Sequence, residues 1–377
     1  MSGAKRRIGL IVNPLAGLGG RVGLKGSDGK GVVAEALRRG AAPVAEARAQ
    51  AALEALSPYR EQLEVLTAPD PMGADLAQSL GFETASIGAT SHPPTTAEDT
   101  RRAARELVAA GIDLLLFAGG DGTARDIAGV VGHAVPILGI PAGVKMQSAV
   151  FAVTPRAAGL LVAAWVRDPS RIRIAEADVL DLDEDAARAG RIEPRLHGTA
   201  RVLVERRFMQ APKSRPQPDD VVVLAGLADE LAAEMDRGRL YLLGPGTTVR
   251  HLKRRLGFEG TLLGVDAVRD GKVIGIDVAE KTILQLIGDG AATIVLGITG
   301  GQGFLLGRGN QQLSAEVVRR VGPENILILA GPSKVVALGA EPLRVDTGDP
   351  ALDQALAGYR RVRTAPGRTA IFKVAGS

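Results

Sequence analysis

The feature that most constrains the fold is the apolar run Asp113–Phe117 (DLLLF), which leads through Ala118 into Gly119-Gly120-Asp121-Gly122-Thr123. Continuous apolar residues without polar alternation predict a strand covered on both faces, the setting of a parallel sheet interior. A strand ending in glycines delivers its turn to the carboxyl edge of the sheet, where α/β proteins bind ligands. Without a Cβ, glycine lets backbone N–H groups approach phosphate oxygens, and the positive end of a following helix favours the same anions. Thr123 suits the N-cap or first turn of that helix. Asp121 is out of place in a loop built only for phosphate, because a carboxylate repels it. It reads as a general base for an attacking hydroxyl, or as a metal ligand.

The surrounding chain repeats the strand–helix alternation. Arg7–Val12, Gln62–Leu66, Ala85–Ile87 and Val135–Ile140 read as strands. Ala74–Leu80 and Thr96–Ala110 read as helices, the second capped by Thr95 or Thr96 with Glu98 and Asp99 in its first turn. Such alternation predicts a doubly wound parallel sheet. The middle differs: Arg171–Leu182 and Leu196–Arg206 look like long strands, followed by a Pro-rich linker at Ala211–Pro218. Beyond Val221 the alternation resumes, with strands expected at Leu240–Leu243, Thr261–Val265, Thr293–Ile298, Ile326–Leu329 and Leu343–Val345. The fold class is therefore α/β, with a doubly wound N-terminal lobe and a second mixed α/β lobe whose first part is β-rich. A chain of 377 residues is long for one core. The expected domains are 1–165, 166–345 and a C-terminal helix and strand at 346–377 that returns to the first, with a ligand cleft between the lobes.

Other glycine loops follow strands in the same way. Asn13-Pro14-Leu15-Ala16-Gly17-Leu18-Gly19-Gly20 lies after the first strand, with Lys25 and Lys30 to meet phosphates and Asp28 to hold a metal. Gly139–Gln147 (GIPAGVKMQ) places Lys145 at a strand end. Gly244-Pro245-Gly246-Thr247-Thr248 opens a helix with glycines and hydroxyls suited to phosphate or ribose. Asp266 is expected as an acid at a strand's end, and Glu176 and Asp178, two apart on a strand, share one face. The stretch Thr299–Gln312 is rich in amides and carries one guanidinium. Gln302, Asn310 and Arg308 are its candidates for hydrogen bonds to a nucleotide.

Composition removes several alternatives. Cysteine is absent, which excludes disulfides, thiolate nucleophiles and zinc–thiolate or iron–sulfur sites. His92, His133, His197 and His251 are isolated, so no histidine metal site is expected. The net charge is +4 with arginines scattered and aromatics only 3%, a bias suited to small nucleotides rather than nucleic acid. No apolar run reaches the roughly 18 residues of a membrane span and no export signal is seen, so a cytoplasmic protein without membrane partners is expected. G-x-x-x-x-G-K-[ST], G-x-G-x-x-G and G-x-S-x-G are all missing, which removes the P-loop, the dinucleotide fingerprint and the α/β-hydrolase nucleophile. The oligomeric state is left open, a homo-oligomer included.

The pair NPLAG at Asn13–Gly17 and GGDGT at Gly119–Thr123 resembles the NAD kinase and diacylglycerol kinase superfamily. Together with GSDGKG, GIPAGVKMQSAVFA, LLGPGTT, TLLGVDAV and GGQGFLLGRGNQQLS, it is similar to the ATP-NAD kinase-like proteins of the acetoin-catabolism X type. The likeness spans Arg7 to about Gly358. It implies that Asp121 activates a ribose hydroxyl, that Asn13 and Gly17 help bind donor phosphates, and that ATP, NAD(H) and Mg²⁺ take part. Two departures stand out. The Asn-Glu pair of NAD kinases is not matched, the nearest acids being Glu176 and Asp178, and the TPTGST-like segment is matched only loosely by Gly244–Thr248. The resulting expectation is a small-molecule kinase moving phosphoryl from ATP or polyphosphate to a hydroxyl of NAD(H) or a related nucleotide. The alternative is a nucleotide-binding regulatory protein without turnover. A lipid kinase is disfavoured, because no apolar, aromatic-lined pocket is signalled.

Overall fold

The apolar runs of the N-terminal half become the parallel strands of one sheet: β1 (Arg6–Val12), β2 (Leu63–Thr67), β3 (Thr84–Ser86), β4 (Leu114–Gly119) and β5 (Ile137–Pro141). The computed structural model describes residues 5–24, 30–90, 94–144, 146–182, 194–205, 208–209, 219–299 and 302–376. By its contacts the chain divides into two units, Met1–Leu18 with Gly26–Gln210, and Gly19–Lys25 with Ala211–Ser377. Both are mixed α/β, with sheets of seven and nine strands and twelve helices among the described residues.

In the first unit the strand order is β3-β2-β1-β4-β5-β7-β6, where β6 is Arg173–Leu182 and β7 is Pro194–Val204. Strand β4 is buried along its whole length, as its uninterrupted apolar sequence requires. Phe117 on β4 meets Phe151 edge to face, ring centroids 5.5 Å apart. The helix Ala97–Ala109 begins as its sequence predicts. Thr96 caps it, accepting from the Asp99 amide, while the Asp99 carboxylate accepts from the Thr96 amide. The helices Ala45–Leu56 and Pro155–Arg167 pack so closely that a Cβ on Gly159 would lie 2.0 Å from the Ala52 carbonyl oxygen.

By contacts the first unit runs on past the boundary expected at 165, to Gln210. Strands β6 and β7 join the first sheet, with β7 parallel to β5 at Ile137 and Val202. Val179, Ala200 and Val202 enter that unit's core, while Glu176 and Asp178 face solvent. Their alternation of buried and exposed residues marks a hairpin with one covered face, which read as a change of domain. The Pro-rich 211–218 lies outside the described residues.

The second unit has the order β10-β9-β8-β11-β13-β15-β16-β14-β12. Its strands are β8 (Leu240–Leu243), β9 (Asp266–Arg269), β10 (Lys272–Gly275), β11 (Ala292–Gly297), β12 (Phe304–Leu306), β13 (Ile326–Leu329), β14 (Leu343–Val345), β15 (Gly358–Ala365) and β16 (Arg368–Ala375). β8, β11, β13 and β15 run parallel, and one face of the sheet carries a core that includes Leu242, Ile294, Leu296, Val317 and Val362. The C-terminal segment therefore does not return to the first domain. Its hairpin β15–β16 sits inside the second sheet, between β13 and β14.

Thr261–Val265 is likewise not a strand. Its residues turn back on Asp266, whose carboxylate accepts from the Thr261 amide at 2.7 Å, the Thr261 hydroxyl at 3.1 Å and the Asp277 amide at 2.9 Å. Asp266 thus opens β9, and its carboxylate pairs with the Lys253 ammonium at 2.9 Å, both side chains 0% exposed. That ammonium also donates to the Thr261 carbonyl at 2.8 Å. Removing one partner of a buried pair strands the other charge. Asp266→Ala is therefore expected to lower stability by about 3–5 kcal/mol in urea unfolding. Lys253→Met should cost less, because the Asp266 carboxylate keeps its three other donors. Equal, small losses from both would contradict this.

Candidate active site

Strand β1 is flanked by β2 on one side and β4 on the other, so the chain leaves β1 and β4 in opposite directions along the sheet. A crevice opens where the winding reverses, outside the carboxyl ends of such a pair. The glycine-bearing motifs after β1 and β4 both start there. The Asn13 amide group donates to the Thr123 hydroxyl at 2.9 Å, and its carbonyl oxygen accepts from the Leu15 N–H at 3.1 Å. The Asn13 backbone N–H bonds the Ala118 carbonyl at 2.9 Å. Asn13 is thus a strut tying the loop after β1 to the helix after β4, with both ends of its side chain engaged.

The glycines here are required first by packing. A Cβ on Gly17, at φ +77°, would lie 2.1 Å from the Ala142 carbonyl oxygen. One on Gly143 would lie 2.7 Å from the Gly120 Cα, and one on Gly119 would lie 2.5 Å from the Thr123 side chain. The Gly119 carbonyl accepts from the Ala142 and Gly143 amides, each at 3.0 Å. Three strand ends, those of β1, β4 and β5, are drawn together by these backbone contacts.

Asp121 is the first residue of the helix Asp121–Val131, with Gly120 as its N-cap in extended conformation and Gly122 half-buried in the same turn. Its side chain is buried, 5% exposed. One carboxylate oxygen accepts from the Gln147 amide at 2.6 Å and the other from the Ser148 amide at 3.0 Å. Burial pushes its pKa up from 3.8 to about 6, against the pull of the hydrogen bonds from Ser148 and Gln147 and with a small push from Asp181. A carboxylate poised near neutrality is matched to take a proton from a hydroxyl at physiological pH. Each oxygen retains acceptor capacity beyond its amide bond.

Neither Gln147 nor Ser148 stands out as a site residue in the sequence, and neither does the pair Arg125–Asp181, whose guanidinium and carboxylate meet at 2.5 Å one turn along the same helix. The amides act through backbone N–H groups, which any residue type supplies. Among the described residues no group of three or more histidines or acids is placed to hold a metal. Lys25, Asp28 and Lys145 lie outside the described residues.

In the second unit, Gly244 to Thr248 follow β8 into the helix Thr247–Arg255. A Cβ on Gly244 would lie 3.0 Å from the Val295 carbonyl oxygen, whereas Gly246, at φ +101°, faces open space. Thr247 is exposed, and Thr248 is buried with its hydroxyl accepting from the Lys334 ammonium at 2.7 Å. Lys334, which the sequence does not single out, also bonds the Ile298 carbonyl at 2.9 Å. Asp266 and Asn310 among the remaining candidates have structural duties. Asp266 is occupied by Lys253 and its loop. The Asn310 side chain spans the Gly307 amide at 3.0 Å and the Leu305 carbonyl at 2.7 Å, closing the turn after β12. Arg308 lies over the Phe304 ring at 4.6 Å. Gln302 is buried, and its side-chain nitrogen has no hydrogen-bond partner among the described residues. Gly19 begins the segment grouped with this unit, whose Gly20 and Gly23 pack toward Gln311 and Gln312.

A doubly wound sheet with a buried carboxylate at its switch point is an arrangement in which α/β proteins bind ligands, and the comparison with known families gives its class. The ATP-NAD kinase N-terminal domain matches residues 8–168, and the ATP-NAD kinase C-terminal domain matches residues 237–374. The chain belongs to the NAD kinase-like family. No protein of curated function matches it in sequence. The family implies ATP and NAD as substrates and usually a divalent metal. No helix among the described residues is long and apolar enough to cross a membrane.

The raised pKa of Asp121 has a consequence for stability. Its folded value of about 6 lies above the ordinary 3.8, so between those pH values the folded chain binds more protons than the unfolded one. Stability contributed by protonated Asp121 is therefore present below about pH 4 and lost as pH rises through about 6. Thermal unfolding of wild type and Asp121→Asn should show wild type losing ground to the variant across that window, with no further change above it. A constant difference from pH 4 to 7 would contradict the assignment.

Proposed function

We propose that the chain is an ATP-dependent kinase that phosphorylates a hydroxyl of NAD(H) or a related nucleotide, with Asp121 as the general base. The observation that carries this reading is the Asp121 carboxylate itself: buried, oriented by two amides, poised near neutrality, and placed where the sheet's winding reverses. The acceptor hydroxyl gives its proton to Asp121 as its oxygen bonds to the terminal phosphorus of the donor. The bond between that phosphorus and the bridging oxygen breaks, ADP departs, and Asp121 returns the proton to solvent. Phosphoryl transfer asks mainly for positioning and charge stabilisation. A divalent cation such as Mg²⁺ would be held by the donor's phosphate oxygens and water, and would offset charge on the transferred group.

The glycine loops and the hydroxyls of Thr247 and Thr248 are the further nucleotide contacts of this reading, and Lys25 and Lys145 its cations toward phosphate. Polyphosphate is a second candidate donor. The narrower likeness to the acetoin-catabolism X type and a cytoplasmic setting belong to the same proposal.

The test is incubation of purified protein with ATP, Mg²⁺ and NAD(H), following NADP(H). Wild type should form it, and Asp121→Asn should slow turnover by roughly 10²–10⁴ while nucleotide affinity holds. Binding of nucleotides without any phosphorylated product would favour the regulatory alternative. Undiminished turnover in Asp121→Asn would remove Asp121 from the chemistry.

A further inference from the structure

We infer that Ser148 is a positioning residue for Asp121, its hydroxyl clasping the end of strand β6 so that the Gln147 and Ser148 amides stay aimed at the carboxylate. This rests on the reading of Asp121 as the base.

The Ser148 side chain is wholly buried. Its hydroxyl donates to the Leu180 carbonyl at 2.7 Å and accepts from the Leu180 N–H at 3.0 Å. The next residue continues the attachment, the Ala149 N–H bonding the Asp178 carbonyl at 3.0 Å. Residues 178 and 180 present their backbone groups to the same side of β6, the outer strand of its sheet. The pairing register of β6 with β7 shifts between Val179 and Leu180, and such irregularities re-aim the chain locally. The loop after β5 thus completes a strand edge that would otherwise carry unpaired groups.

Asp121 is held from the other side by the same strand end. Arg125, one turn along its helix, pairs with Asp181 at 2.5 Å, next to the clasped Leu180. Leu180 and Asp181 therefore fix both the loop that donates to Asp121 and the helix that carries it. Losing the hydroxyl removes the two Ser148–Leu180 bonds and leaves the Ala149–Asp178 bond between this loop and β6, so the amide pair is held less firmly at its present distance from the carboxylate. Small misplacements of a reacting group are costly in rate, because a productive geometry tolerates only a fraction of an ångström.

The experiment compares wild type with Ser148→Ala and Ser148→Thr, using amide hydrogen exchange on the full chain and steady-state kinetics. In Ser148→Ala, exchange at the amides of residues 147 and 148 should quicken at least about tenfold, the equivalent of about 1.4 kcal/mol, with exchange elsewhere unchanged. The value of kcat should fall about tenfold or more with KM for both substrates preserved, and Ser148→Thr, which restores a hydroxyl, should recover most of it. Unchanged exchange at 147 and 148 would overturn the proposal whatever the activity. So would faster exchange with unaltered kcat in a protein whose Asp121→Asn variant is inactive. An active Asp121→Asn would instead overturn the base reading, a failure that the exchange data do not share.

Discussion

A carboxylate below the protein surface is a costly anion unless donors meet it there. Asp121 satisfies that constraint with two backbone amides, and much of the first unit is arranged to supply them. The helix start at Gly120 sets the side chain inward. The close approach of Gly120 and Gly143 brings the β4 and β5 loops side by side, so that the chain beyond β5 can reach over Asp121. Strand β6 anchors that chain from beneath through Leu180. Burial and hydrogen bonding then oppose each other, and the balance leaves a carboxylate poised near neutrality rather than a fully committed anion or acid.

The parallel sheet and its principal motif are legible in the residues because both rest on strong local chemistry. An uninterrupted apolar run such as Leu114–Phe117 has few fates, and glycines at its end mark backbone crowding. Glycine admits a phosphate or another stretch of chain equally well, and Gly17, Gly119 and Gly143 meet other parts of the chain. The same residue type answers both needs, and only coordinates separate them. Asn13 shows the complementary ambiguity: expected toward the donor phosphates, it spends its side chain on Thr123 and Leu15.

What escaped the sequence acts through the backbone or through tertiary pairing. The amides of Gln147 and Ser148 carry no residue signature. Thr261–Val265 reads as a strand because it is apolar, yet the Asp266 carboxylate folds that segment into a loop and pairs with Lys253 of the helix Thr247–Arg255. The amides after β12 looked like ligand contacts, but Asn310 is spent on its own turn. The β6–β7 hairpin read as a new domain because its exposed face interrupts the apolar pattern, although its buried face completes the first core. Its Glu176 and Asp178 remain in solvent, so the acids nearest in position to the second motif of NAD kinases are surface carboxylates.

The pH dependence of kcat/KM for phosphoryl transfer tests the central claim most directly, since its acid limb reports the free enzyme's essential base. With Asp121 as that base, activity should rise through about pH 6, and the residual activity of Asp121→Asn should lack that limb. A limb centred at the ordinary carboxylate value near about 4, or one that survives unchanged in the variant, would contradict the account.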